Sequence, residues 1–278
     1  MDTMYRCCAG LDVHKETVAA CVRRVDASGR VSKEVRTFGT TTGALLQLSD
    51  WLVSQGVEAA AMESTGVFWK PLWNILEGTV KVILVNARHI KNVPGRKTDV
   101  KDCDWIAQLL QHGLLRASFV PERPQRDLRD LTRQRSQLTA EQSRVNNRIH
   151  KMLEDANIKL GSVATDILGV SGREMIRALI AGQEDPEQLA ELARRRLRNK
   201  LPELREALRG HLTEHHRFML RQLMDHLAYL DRQIAAFEQR IEELMRPFQE
   251  AIARLTTLPG VGQLTAQNVL AEIQPLGI

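Results

Sequence analysis

Residues 7–13, with the sequence CCAGLDV, form an apolar run that is interrupted only by Asp12 near its end. A run of this kind is typical of a buried β-strand. Alternating patterns follow at 17–24 and 31–38, and the turn sequence DASG separates them at 26–29. Alternation on both sides of a short turn indicates antiparallel pairing. The chain is therefore predicted to begin with three antiparallel strands.

Helical and strand patterns then alternate. Residues 42–54 and 67–76 are amphipathic, whereas 57–62 and 80–85 are short apolar runs. A further helix is predicted over about 98–111. The order βββαβαβα predicts an α/β domain with a mixed sheet.

The second part of the chain is dominated by two long helical patterns. Apolar residues recur there at alternating spacings of three and four, which predicts long coiled-coil helices that pair either within the chain or between chains. One pattern contains Leu220, Leu223, Leu227, Leu230, Ile234, Phe237, Ile241 and Leu244. The other contains Leu128, Leu131, Arg135, Leu138, Gln142, Val145, Ile149 and Met152, with polar residues at two seam positions.

Composition limits the possible classes of protein. The 278 residues contain no run of roughly 18 apolar residues and no signal-peptide pattern, so a cytoplasmic protein without membrane association is expected. The four cysteines show no CxxC spacing, so packed thiols are expected rather than disulfides or a zinc site. The net charge of +5 allows a polyanionic partner without requiring one.

All four tryptophans precede residue 117, and Arg outnumbers Lys by 21 to 3 beyond residue 116. This change in composition predicts a domain boundary near residue 117.

Acidic residues occur where the α/β pattern otherwise predicts apolar ones. Asp12 lies near the end of the first strand, Glu63 follows the strand at 57–62, and Asp99 and Asp102 share one face at the start of a helix. Four converging carboxylates repel one another unless divalent metal neutralises them, and Mg²⁺ prefers such oxygen ligands. The pattern therefore predicts a catalytic two-metal site for phosphodiester chemistry, in which Mn²⁺ can substitute. The alternative is that each carboxylate is a solvated strand-end or helix-start charge, which is also how Asp104 is interpreted.

Three short motifs and a C-terminal segment carry a family resemblance. They are GLDVHK at 10–15, ESTG at 63–66, KTDVKD at 97–102, and LPGVGQLTA at 258–266 with LAEI at 270–273. In this order they resemble the DEDD transposases of bacterial insertion sequences, the relatives of the Piv invertase, over essentially the whole chain. Cys103 departs from the Ala that is common after the last Asp of the family motif.

The resemblance implies a fold, an activity and partners. It implies an RNase H-like, RuvC-like domain whose metal ligands are Asp12, Glu63, Asp99 and Asp102. It also implies a DNA recombinase that assembles as a dimer or tetramer through its helical region, and in some members a structured guide RNA. The family's nucleophilic serine lies beyond the Pro-Gly-Val-Gly segment, so a chain ending at Ile278 is expected to be truncated and to form no covalent protein–DNA product.

Nucleic-acid contacts are predicted in the second part of the chain. One set lies on the first long helix, a second set forms the densest basic run, and the third is the turn of a helix-hairpin-helix that holds a phosphate. A solvated helix face and a simple packing turn are the alternatives. The predicted residues are Arg123, Arg126, Arg129, Arg133, Arg194, Arg195, Arg196, Arg198, Lys200, Gly260 and Gly262.

The sequence thus predicts three regions: a RuvC-like DEDD domain at 1–116, a helical coiled-coil region at 117–250, and the start of a C-terminal transposase domain at 251–278. The predicted function is metal-dependent DNA strand transfer by an insertion-sequence transposase, and the resemblance implies guidance by RNA in the manner of some family members. Two alternatives stay open. One is a stand-alone RuvC-like nuclease that cleaves branched DNA, and the other is an inactive nucleic-acid-binding remnant.

Overall fold

The computed structural model describes residues 3–64, 66–92 and 102–273. The chain divides into two compact units, Met1–Val120 and Pro121–Ile278. This division falls four residues after the predicted boundary at 116, and the predicted C-terminal region belongs to the same unit as the long helices.

The first unit contains a five-stranded mixed sheet. Its strand order is β3-β2-β1-β4-β5, with β1–β2 and β2–β3 antiparallel and β1–β4 and β4–β5 parallel. The strands are β1 Cys7–Val13, β2 Thr17–Val25, β3 Val31–Gly39, β4 Ala59–Glu63 and β5 Lys81–Val85. The predicted antiparallel start and the α/β class are confirmed.

Helices cover both faces of this sheet. They are α1 Thr42–Ser54, α2 Trp69–Leu76, α3 Ala87–Asn92 and α4 Asp102–Gln111. Helices α1 and α2 contribute to the core on one face, together with Leu11 and Met62. Helix α4 contributes to the core on the other face, together with Cys8 and Ala61.

Two details differ from the sequence prediction. Glu63 is the last residue of β4 rather than the residue after it, because its backbone still pairs with Val85 of β5. Helix α3 was not predicted, since its six residues are too few to show a helical period.

The second unit is helical throughout its described part. Its helices are α5 Arg123–Asp155, α6 Leu160–Val163, α7 Val170–Ile180, α8 Pro186–Glu191, α9 Leu201–Ala207, α10 Glu214–Met245, α11 Gln249–Thr256 and α12 Gln263–Glu272. Short 3-10 helices cover Arg195–Lys200 and Arg246–Phe248. None of the helices in 3–64, 66–92 or 102–273 has the length and apolar character needed to cross a membrane.

The long helices α5 and α10 pack against each other within the chain. Leu220, Leu227 and Ile149 of the predicted seams are fully buried. The polar seam residue Gln142 donates to Asp231 Oδ1 at 2.7 Å, and Arg173 of α7 donates to the other oxygen at 2.5 Å. A polar residue in an apolar seam favours the one register in which its hydrogen bonds are made, so this pair fixes the alignment of α5 and α10.

Candidate active site

Asp12 and Glu63 lie level with each other on neighbouring strands. Strands β1 and β4 run parallel, and their last matched pair is Leu11 with Met62, one residue before the two carboxylates. Leu11 and Met62 both belong to the core on the α1 and α2 side. Because successive side chains of a strand alternate between faces, Asp12 and Glu63 both point to the α4 side. The structure therefore brings these two predicted residues to one edge and one face of the sheet.

Helix α4 packs unusually close to β1, directly before Asp12. A Cβ on Gly10 would lie 2.1 Å from the Cys103 carbonyl oxygen and 2.4 Å from the Ala107 nitrogen. Only a residue without a side chain allows this approach of helix backbone to strand backbone. It sets the first turn of α4, which begins at Asp102, against the end of β1 that carries Asp12. Burial is the main cause that raises the pKa of the Cys103 thiol, and the negative charge of Asp12 raises it further. This charge effect reflects the short distance between Asp12 and the start of α4.

The interpretation of Asp104 as a surface charge is wrong. Its side chain is 7% exposed and forms ion pairs with two cations of the neighbouring strands. Arg23 Nη1 of β2 donates to Oδ1 at 2.5 Å, and Lys33 Nζ of β3 donates to Oδ2 at 2.6 Å. Burial opposes ionisation of Asp104, but the hydrogen bonds from Lys33 and Arg23 outweigh it and lower its pKa. These contacts attach the first turn of α4 to the sheet.

The cysteines are free thiols, as expected. Burial raises the pKa of Cys8 and of Cys21 to about 12. Thiols with such pKa values are almost wholly protonated at neutral pH and are poor nucleophiles and metal ligands. Cys8 and Cys21 serve as packing residues between α4 and the sheet.

The donor set at the sheet edge suits a hard divalent cation. Carboxylate oxygens are its preferred ligands, and Asp12 and Glu63 offer them side by side. The His14 ring also lies here, with Nε2 3.1 Å from Asp12 Oδ2. In 3–64, 66–92 and 102–273 no three Asp, Glu, His or Cys side chains form a ready metal cluster. Asp99, the fourth predicted ligand, lies outside the described residues.

The predicted basic residues of α5 differ in their surroundings. Arg129 Nε donates to the Ala271 carbonyl at 2.9 Å, and Arg133 makes a two-bond ion pair with Glu272 at 2.8 and 2.9 Å. Both arginines therefore hold the C-terminal end of α12. Arg126 Nη1 donates to the Pro121 carbonyl at 2.8 Å, whereas the Arg123 side chain is exposed.

The polar seam residue Arg135 extends this attachment of α12. It is 3% exposed and donates to Gln267 Oε1 at 2.6 Å and to Asn268 Oδ1 at 2.7 Å. Its burial lowers its pKa. The sequence showed Arg135 only as an irregularity in an apolar seam, and its partners lie more than a hundred residues away.

The basic run at 194–200 is exposed, but its members are not equivalent. Arg194 pairs with Glu174 at 2.7 Å, and Arg198 pairs with Glu191 at 3.0 Å. Lys200 Nζ donates to the Val163 carbonyl at 3.2 Å. Within the part of the chain that the structure describes, Arg195 and Arg196 have no partner.

The segment between α11 and α12 is a tight exposed turn. Gly260 has a φ of +82°, which favours glycine, and Gly262 precedes α12 without a capping side chain. Apart from its chain neighbours, no described residue places an atom within 4 Å of a Cβ built on either glycine. The turn is therefore open at the two positions predicted to approach a phosphate.

The fold and the site define a mixed α/β domain of sheet order β3-β2-β1-β4-β5, with carboxylates level on β1 and β4 and a helix start beside them. Residues 9–158 match the model of the transposase family of IS110-type DEDD enzymes. Because this match spans more than half of the chain, the protein belongs to that DEDD transposase family. Members of the family are generally dependent on divalent metal.

Similar solved structures include two of RuvC from Thermus thermophilus, one of them in complex with a substrate. The RuvC structure of Thermus thermophilus is 13% identical, with a TM-score of 0.31, and the match covers 40% of this chain and 99% of RuvC. The T. thermophilus RuvC complex with a Holliday junction substrate is also 13% identical, with a TM-score of 0.29 and the same coverage. No curated protein matches the chain.

Proposed function

We propose that this protein is a DNA transposase whose Asp12, Glu63, Asp99 and Asp102 hold two divalent ions, Mg²⁺ by preference, for phosphodiester transfer. The observation that carries the proposal is the placement of Asp12 and Glu63 level on β1 and β4, on the face covered by α4. Family membership supports DNA as the substrate.

The chain's own residues have separate tasks in this proposal. Asp12 and Glu63 supply oxygen ligands from the rigid edge of the sheet, and Asp102 supplies one from the start of α4. The His14 ring, 3.1 Å from Asp12 Oδ2, orients that carboxylate. When bound, the metal ions activate the attacking oxygen and stabilise the leaving oxygen of the phosphodiester.

The site is tested by replacing its ligands without changing their size. In Asp12→Asn and Glu63→Gln, Mn²⁺ affinity measured by calorimetry is expected to fall at least about tenfold, and metal-dependent DNA cleavage is expected to stop. Asp50→Asn is the matched control, since Asp50 is an exposed carboxylate on α1 of the same unit. The proposal is wrong if the ligand variants bind Mn²⁺ as the control does. Metal binding and DNA binding without any cleavage would favour the inactive remnant.

We further propose that α5 and α10, whose seam is filled within the chain, form a coiled coil, that copies of the chain assemble in the cytoplasm through its outer face, and that a structured guide RNA binds the helical unit. The regular seam supports the coiled coil, and the arginine-rich composition supports RNA binding. Light scattering of the purified chain tests the assembly, with a dimer or tetramer expected. Nuclease digestion of co-purified nucleic acid tests the RNA.

A further inference from the structure

The second unit contains a cavity of about 650 Å³ that no part of the proposed metal site uses. It lies between the segment 163–172, which ends in the first turn of α7, and the basic run at 194–200. This volume exceeds that of a single small anion and is within the range of ordinary ligand sites.

The cavity wall is cationic. Four basic residues line it, namely Arg194, Arg195, Arg196 and Lys200, against the one acidic residue Asp166. Asp166 Oδ1 already accepts a hydrogen bond from the Leu168 amide at 2.9 Å. Since Arg195 and Arg196 have no partner among the described residues, two guanidinium groups retain all their donors for a ligand.

Several contacts hold this wall in place before any ligand arrives. The Arg194 amide donates to Ser171 Oγ at 2.9 Å, which ties the basic run to α7, and Lys200 ties its other end to Val163. A Cβ on Gly172 would lie 2.0 Å from the Ile167 carbonyl oxygen, so the two sides of the 163–172 segment are in backbone contact. A preformed site loses little conformational entropy on binding.

The chemistry of the lining identifies the type of ligand. Free guanidinium groups form paired hydrogen bonds to phosphate oxygens, and the uncapped amides of α7, whose first residues line the same cavity, favour an anion. None of the described residues that line the cavity is aromatic, so this lining offers no ring on which a base can stack.

We infer that this cavity binds the phosphodiester backbone of a nucleic-acid strand, through Arg195 and Arg196, without reading its bases. The inference deepens the proposed function, on which it rests for the identity of the polyanion. Arg195 and Arg196 thereby have a different role from Arg129 and Arg133, whose side chains bind the end of α12.

The test measures binding of the full chain to labelled single-stranded DNA and RNA of one sequence by fluorescence anisotropy, in EDTA. Arg195→Gln/Arg196→Gln is expected to weaken binding of both strands at least about tenfold. If two phosphate contacts are lost, the negative slope of log K against log salt concentration becomes shallower by about 1.4. Arg221→Gln/Arg232→Gln is the matched control, because both arginines are exposed on α10 and removing them causes the same charge change.

A neutral variant separates the cavity from the charge. Thr165 is exposed and lines the cavity, so Thr165→Trp narrows it at constant charge and is expected to weaken binding of both strands. The inference is overturned if the two double-Gln variants weaken binding equally, if Thr165→Trp binds as the unaltered chain does, or if only one of DNA and RNA is affected. Helical content by circular dichroism confirms that each variant is folded. Because EDTA removes divalent metal, this binding measurement does not depend on the metal site. A negative result here does not count against metal binding by Asp12 and Glu63, and loss of metal binding does not count against the cavity.

Discussion

Replacing Asp104 by Ala is expected to destabilise the first unit strongly. The carboxylate is 7% exposed and pairs with Arg23, whose side chain is 11% exposed, and with Lys33, whose side chain is 58% exposed. Removing it leaves the Arg23 guanidinium beside the sheet with Gln111 Oε1, 3.1 Å from Arg23 Nε, as its remaining acceptor among the described residues.

The two ion pairs contribute unequally. Breaking a buried pair by removing one partner costs about 3–5 kcal/mol, because a buried charge is left without compensation. An exposed pair contributes about 0–1 kcal/mol. We therefore expect a loss of about 3–5 kcal/mol for Asp104→Ala and less than about 1 kcal/mol for Lys33→Ala. Replacing both buried partners, as in Asp104→Leu/Arg23→Met, is expected to cost less than Asp104→Ala alone.

Urea unfolding followed by tryptophan fluorescence measures these differences in the relevant unit. All four tryptophans, Trp51, Trp69, Trp73 and Trp105, lie in the first unit, so their emission reports its unfolding. The reasoning is refuted if Asp104→Ala loses less than about 1 kcal/mol, the range of an exposed pair. It is also refuted if the double variant is less stable than Asp104→Ala, since an unpaired buried charge is then not the cause.

Two further predictions concern the packing of helices. Gly10→Ala is expected to lower the free energy of unfolding by at least about 1–3 kcal/mol, because its Cβ would overlap backbone atoms of α4. Gly43→Ala, at an open position of α1, is the control and is expected to be neutral or stabilising in the same fluorescence measurement. Equal effects of the two variants would contradict the close approach of α4 to β1. The hydrogen bonds from Arg133 lower the pKa of Glu272, so this ion pair stabilises α12 fully above the normal Glu pKa, and its contribution is lost as pH falls through the lowered pKa. In thermal unfolding followed by circular dichroism, Glu272→Gln should therefore be slightly less stable than the unaltered chain at neutral pH and equal to it in acid, and a difference that persists in acid would contradict this.

Local sequence patterns were sufficient for most of the first unit. The antiparallel start, helix 42–54 and the apolar strands were predictable because alternation and helical periodicity are short-range properties of the chain. The same patterns placed Asp12 and Glu63 at strand ends. That both point to one face followed only from the parallel register of β1 and β4.

Long-range partners could not be predicted. Asp104 looked like a helix-start surface charge because its cations lie 81 and 71 residues earlier, on other strands. Arg133 looked available for nucleic acid because its carboxylate, on Glu272, lies 139 residues later. In each case the charge is visible in the sequence and its use depends on which distant residue folding places beside it.

The sequence by itself determined the class of the protein. The order of elements, the acidic motif and the two helical seams can be recognised from the spacing of residues that are close in the chain. Only the tertiary structure decided how charges are used. It buried Asp104 of α4 against the sheet, assigned Arg129 and Arg133 to α12, and left Arg195 and Arg196 at a cavity without a partner among the described residues. The physical reason is that periodicity acts over a few residues, whereas solvation and ion pairing depend on neighbours in space.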